Sequence, residues 1–191
     1  MNMNNIIHYY AKGKMPFQSI TSLSEQDANR IVDELKKTGL PVFKRFEWSE
    51  YLSERRKTES WLKSEFQKIG GKPKIDYPYY FTLGESNYFK SRYDNEAAMI
   101  NIPLDSISDE DISFTFPDSM ASMYYKHNQQ DKYFNPEYHG IVFLKIGIKK
   151  IIDKFGIPQW NNAQNREEAH DYFIEAQLWN DKYIATYLKG Q

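Results

Sequence analysis

Cysteine is absent from the 191 residues. That removes disulfides, thiolate metal sites and cysteine nucleophiles together. Glycine (9) and proline (8) are sparse, and no Pro/Ser linker, internal repeat or low-complexity tract divides the chain, so a single domain over residues 1–191 is expected. No apolar run approaches the roughly 20 residues of a membrane-spanning helix. The opening stretch, MNMNNIIHYY, has no basic region followed by an apolar one and does not resemble a secretory signal. Together with the missing cysteine this points to the cytoplasm, with no membrane partner. Also missing are the phosphate-binding loop G-x-x-x-x-G-K-[ST], a G-x-G-x-x-G after a strand, H-E-x-x-H and G-x-S-x-G, so kinase, dehydrogenase, zinc-protease and serine-hydrolase readings lose their usual support. The four histidines, His8, His127, His139 and His170, have no short ligand spacing, and no metal is implied.

What is present is aromatic. Phe, Trp and Tyr make up 16% of the chain, with 15 Tyr and 12 Phe, which is enough for a core built on rings or a groove lined with them. The net charge of -1 hides a local excess: residues 44–74 carry nine Lys/Arg against five acids, a balance of +4. Such a segment would steer an anionic partner such as nucleic acid, or it is a solvated helix face.

The hydrophobic pattern predicts a mixed α+β fold: small mixed or antiparallel sheets with a cleft between them, flanked by two longer helices, because strands and helices do not alternate regularly. Asn5–Ala11 (NIIHYYA) reads as the first strand. Ser24 is a plausible N-cap, with an acid three residues on, for a helix over 25–37 that buries Ala28, Ile31, Val32 and Leu35 and is stopped by Gly39 and Pro41. A longer helix over about 50–69 ends at Gly70-Gly71. Its apolar residues Leu52, Leu62, Phe66 and Ile69 fall on one stripe at about 100° per residue. Arg55 and Glu59 fall in the middle of that stripe, four apart, either as a structural ion pair or as the lining of a polar cleft that receives a phosphate or carboxylate. Strands are expected at 76–84, 97–102 and 112–116, a turn at PDSMAS, a long loop over 124–139, a helix over 146–155, a brief capped helix from Asn165 through His170, a strand over 173–179 and a terminal helical turn.

The stretch FIEAQLW, Phe173 to Trp179, carries the functional question. In a strand, Ile174, Ala176 and Leu178 face one way; Phe173, Glu175, Gln177 and Trp179 face the other. A carboxylate and an amide between two aromatics make a partly dry polar groove, or a solvated side of the sheet. His8 in the first strand and Tyr79 and Tyr80 in PYYFTLG are likewise polar groups set on apolar strands.

This order of His, Tyr and Glu, each on its own strand, resembles the ADP-ribosyltransferase fold in its His-Tyr-Glu form, and distantly the DarT type of DNA ADP-ribosyltransferase. IIHYYAK resembles that group's opening strand through His8. DYPYYF, Asp76 to Phe81, FTFPDSMAS, and IEAQLW with Glu175 are similar in outline to its later segments. The sequence departs from the pattern in lacking Thr after the histidine strand and in having Ala after the glutamate. The resemblance implies NAD as substrate, bound between two small sheets. His8 would then bond the nicotinamide ribose, Tyr80 would stack on the nicotinamide, and Arg55 would take the pyrophosphate. Gln177 joins the cofactor-binding set, and Glu175 would be catalytic, stabilising the positive centre that forms as the glycosidic bond breaks. The segment 44–74 would bring in a nucleic-acid acceptor; a protein acceptor is the other possibility. Two other readings stand beside this one. The first is a non-catalytic binding module whose aromatic groove holds a peptide or a nucleic-acid strand. The second is a metal-independent ribonuclease using His8 or His139 with Glu175.

Overall fold

The computed structural model describes residues 3–37, 48–93, 97–158 and 172–188. The fold is α+β. The strands expected in small sheets join into one antiparallel sheet of six, β1 (Asn5–Ala11), β2 (Tyr79–Leu83), β3 (Ala97–Pro103), β4 (Ile112–Thr115), β5 (Val142–Phe143) and β6 (Glu175–Leu178), in the order β3-β1-β2-β6-β4-β5. β1 pairs with β3 along its whole length but with β2 only at Ile6↔Leu83 and Ile7↔Thr82. Beyond Ile7 the sheet is therefore no longer laced between β1 and β2. β6 lies centrally, with Glu175 opposite Thr82 on one side and Thr115 on the other.

The helices are α1 (Glu25–Lys37), α2 (Trp48–Lys68), α3 (Asn87–Arg92), α4 (Ser119–His127), α5 (Lys145–Phe155) and α6 (Ala185–Leu188). Ser24 caps α1 as its sequence predicts: its Oγ accepts the Asp27 amide at 3.1 Å and donates to the Asp27 carboxylate at 2.8 Å. α1 and the start of α2 meet through Ala28, Val32, Trp48 and Leu52. The stop at Gly39 and Pro41, the side chain of Leu35 and the brief helix from Asn165 through His170 lie outside the described residues. α2 ends at a Gly pair; a Cβ on Gly71 would meet the Phe66 ring at 2.4 Å, so only glycine fits that approach. The turn and long loop expected from PDSMAS onward begin instead with α4. Asp118 accepts the amides of Met120 and Ala121 at 3.0 and 3.1 Å, a strong N-cap that outweighs the weak apolar pattern of SMASMYYKH.

The sheet is covered on both faces. One face packs Ile6, Phe81, Leu83, Ile100, Phe114, Ile174, Ala176 and Leu178 with Ile148 and Ile152 of α5 into the main core. The other carries Tyr80, Thr82, Ser113, Thr115, Glu175 and Gln177, beneath α2 and α4. A second cluster of Trp61, Leu62, Phe66, Val142 and Trp179 seals one end of that layer. Among the described residues no helix is long and apolar enough to cross a membrane.

Candidate functional site

The face of β6 that alternation separates from its aliphatic side is not solvated, contrary to the simplest expectation for a polar strand face. Glu175 is 6% exposed and Gln177 fully buried. The reason lies in α2, whose buried stripe is not wholly apolar: Arg55 and Glu59 occupy its middle and bring polar groups to meet polar groups. Ser113 Oγ donates to Gln177 Oε1 at 2.8 Å, and Gln177 Nε2 donates to Thr115 Oγ1 and Glu175 Oε1, both at 3.1 Å. Trp179 Nε1 donates to Ser113 Oγ at 2.8 Å. Glu175 also accepts from Ser119, the first residue of α4. Arg55 Nη1 donates to the same Ser119 hydroxyl at 3.0 Å, so a continuous path of contacts runs from Arg55 to Glu175.

Arg55 and Glu59 form the ion pair their spacing predicts, Nε to Oε1 at 3.7 Å. The guanidinium also lies over the Tyr80 ring, 3.9 Å from its centroid. Glu59 Oε1 accepts from Tyr80 OH and from Thr21 Oγ1, each at 3.0 Å. Glu59 Oε2 is buried without a hydrogen-bond partner, an arrangement that costs about 1–3 kcal/mol or more for a charged group.

Burial pushes the Glu59 and Glu175 carboxyls above the ordinary carboxylate range, opposed in each case by the Arg55 charge and by donated hydrogen bonds. Burial works against the Arg55 cation, but the oxygens of Tyr80, Glu175, Tyr51 and Glu59 outweigh it and hold the guanidinium charged. Burial drives the Tyr80 hydroxyl well above its usual value. Asp118 adds to the upward push on Glu175.

His8 lies where β1 parts from β2. Its Nδ1 donates to the Tyr80 carbonyl at 2.9 Å, and its Nε2 accepts the Phe17 amide at 3.1 Å. Both ring nitrogens are engaged, and the acceptor role of Nε2 requires the neutral ring; burial lowers the His8 pKa in the same sense. The Phe17 ring stacks on His8 at 4.3 Å. Phe17 holds a positive φ of 59°, a conformation that a bulky side chain rarely adopts.

Between these groups opens a recess of about 210 Å³. His8, Phe17, Thr21, Arg55, Glu59 and Tyr80 line it, with Tyr51 and Tyr79 adding aromatic wall. Three sequence candidates, His8, Tyr80 and Arg55, therefore share one cavity. Glu175 does not line it: by strand register its side chain lies on the sheet face opposite to that of His8, and the recess communicates with it through Arg55 and Ser119. Gln177 does not reach the recess either, because its amide is consumed inside the layer, where it orients Glu175. His139 lies elsewhere, stacked on Tyr125 at 3.9 Å. Sequence reasoning missed Phe17, Thr21, Tyr51 and Ser119; only the Asp118 cap signal would have placed Ser119 at a helix start.

The basic segment is more paired within the chain than its count suggests. Arg55 is inside, and Lys57, Lys63, Lys68 and Lys72 lie 2.6–2.8 Å from Glu54, Asp76, Glu65 and Glu110. Lys44 and Arg45 lie outside the described residues. Compared with protein-family models, curated proteins and solved structures, the chain matches none.

Proposed function

We propose that the protein cleaves NAD between nicotinamide and ribose and transfers the ADP-ribosyl group to a nucleic-acid or protein acceptor. The observation that carries this reading is the shared recess: His8, Tyr80 and Arg55 line one cavity, over a sheet in which the strands of His8, Tyr80 and Glu175 are neighbours, β1-β2-β6. At about 210 Å³ the cavity is smaller than the about 300–1,000 Å³ of clefts that enclose drug-sized ligands. It takes one end of a dinucleotide, and the remainder lies outside it.

In this reading the glycosidic electron pair leaves with nicotinamide, and the positive charge left on the ribose is met by the carboxylate of Glu175. The acceptor adds to the sugar carbon and loses its proton to solvent. Arg55 opposes the effect of burial on the Glu175 carboxyl, and Gln177 and Ser119 fix its orientation. Neutral His8 offers a hydrogen bond to the ribose once the Phe17 amide gives way. For Glu175 to act, Arg55 must swing aside from the Ser119 hydroxyl.

A non-catalytic binding module is favoured by one observation, that Glu175 is covered and already has two donors, Ser119 and Gln177. Incubation with nicotinamide-labelled NAD separates the two. The transferase reading expects nicotinamide release by the wild type and at least about a hundredfold less from Glu175→Gln. Equal release by both proteins overturns the role of Glu175, and silence in both leaves the binding module.

A further inference from the structure

Residues 12–24 cross in front of His8 on the way from β1 to α1, and one of them is strained. Phe17 keeps its φ of 59° although a bulky side chain disfavours it, so the surroundings impose it. Two contacts with His8 do so: the Phe17 amide donates to Nε2 at 3.1 Å, and the two rings stack at 4.3 Å. Tyr79, Phe81 and Tyr187 complete the seat of the Phe17 ring, with centroids 5.5–6.1 Å away. The segment is anchored at both ends. Gly13 turns at φ 78°, with open space where a Cβ would be. At the far end Thr21 Oγ1 donates to Glu59 at 3.0 Å, and the Leu23 carbonyl accepts from Arg56 Nη2 at 3.1 Å. Between those anchors the chain is tied to the sheet through Phe17, and Phe17 to Thr21 form one wall of the recess.

The two nitrogens of His8 respond differently to acid. Nδ1 donates to the Tyr80 carbonyl at 2.9 Å and goes on donating when the ring is charged. Nε2 accepts, and an imidazolium has no acceptor; its new N–H would face the Phe17 N–H. One proton therefore leaves the imidazole in place on β2 and breaks its bond to the segment. Burial of the ring resists that proton, and opening the segment admits water and removes the resistance. Other titratable groups face His8. Arg55 and Glu59 of α2, which line the recess with it, carry opposite charges and are paired at 3.7 Å. Tyr51, Tyr79 and Tyr80 face it from α2 and β2; burial moves their hydroxyls upward, so they stay neutral in acid. Tyr10 lies beside it on β1, β3 sets the apolar Ile100 opposite it, and Tyr187 of α6 lies behind Phe17. The segment itself carries Lys12 and Lys14.

We propose that residues 12–24 form an acid-released strap, closed over the recess while His8 is neutral and swung open about Gly13 when Nε2 is protonated. The device works whatever ligand the recess takes and does not depend on the NAD reading.

Amide hydrogen exchange of the full chain tests it, read by mass spectrometry at pH 7.5 and pH 5.5 and corrected for the chemical effect of pH. Protection of residues 14–20 falls about tenfold relative to α5 at the lower pH, the factor for one unit below the ordinary imidazole value of about 6.5. In His8→Gln, which cannot take the proton, that relative fall disappears. In the wild type the 15N resonances of His8 titrate over the range in which protection is lost, a measurement that does not need the variant to fold. Protection of 14–20 that is unchanged with pH, or lost equally in α5, overturns the strap. So does an equal fall in a folded His8→Gln, which would assign the release to Glu59 through Thr21, and so does a His8 titration displaced from the loss of protection.

Discussion

The two faces of β6 make an instructive pair. Ile174, Ala176 and Leu178 enter an apolar core, while Glu175 and Gln177, one step along the same backbone, enter a layer of hydrogen bonds, and all five are buried. On the apolar side, cohesion comes from area removed from water and from tight packing, and it tolerates exchange among side chains of similar volume. On the polar side every group must find a partner of the right kind, since in a low-dielectric layer an unmatched group costs more than a matched one gains. A strand that is polar on one side usually turns that side to water. Here the stripe of α2 prevents it, and Arg55 and Glu59 carry charge into the layer.

The sharpest way to break the contrast is Arg55→Leu. It fills similar space but leaves the buried carboxyls of Glu59 and Glu175 without their cation, and a loss of about 3–5 kcal/mol is expected in urea unfolding followed by tryptophan fluorescence. A negligible loss would mean that both carboxyls are already protonated in the wild type. Gln177→Leu is milder. It deprives Ser113 of its acceptor and Thr115 and Glu175 of a donor, for an expected loss of about 1–3 kcal/mol in the same assay; no loss would show that the layer behaves like its apolar counterpart.

The smallest effect is a pH dependence traced to His8. Its folded pKa is depressed by burial, so the unfolded chain takes up the proton first, near its ordinary value of about 6.5. The stability His8 confers is complete above that value and declines as pH falls through it toward the folded value. Glu59 and Glu175, shifted upward, act in the opposite sense, taking protons in the folded state first and gaining stability as pH falls. The difference between wild type and His8→Gln isolates the imidazole. Melting curves at pH 7 and pH 5 should show that difference moving against the wild type on acidification, by less than about 1.4 kcal/mol for each tenfold rise in acid. A constant difference would mean that His8 keeps its proton equilibrium on folding.

Much of this frame is legible in the chain because period and burial coincide. β1, β4, β6 and α1 announce themselves by alternation or by a cap, and the placement of Arg55 and Glu59 on the buried stripe of α2 follows from angle alone. The solvated alternative for Glu175 could not be eliminated that way, since alternation divides residues between two faces without saying what covers each. α4 escaped notice because Tyr124, Lys126 and His127 blur any apolar period, and its start depends on a single side chain, Asp118. Phe17 and Thr21 carry no local signal at all; they matter only because residues 12–24 pass in front of His8 and α2, a long-range contact with no periodicity to betray it.

The position of β6 also bears on how the molecule is made. A ribosome delivers β1 to β5 first, yet the sheet order requires β6 between β2 and β4. Until residues 175–178 emerge, two halves of the sheet each present an unpaired inner edge, the sort of surface that invites adhesion to other chains. The strand that carries the carboxyl proposed for chemistry is thus also the keystone of assembly, and closure of the sheet and completion of the polar layer occur in one late event of high contact order.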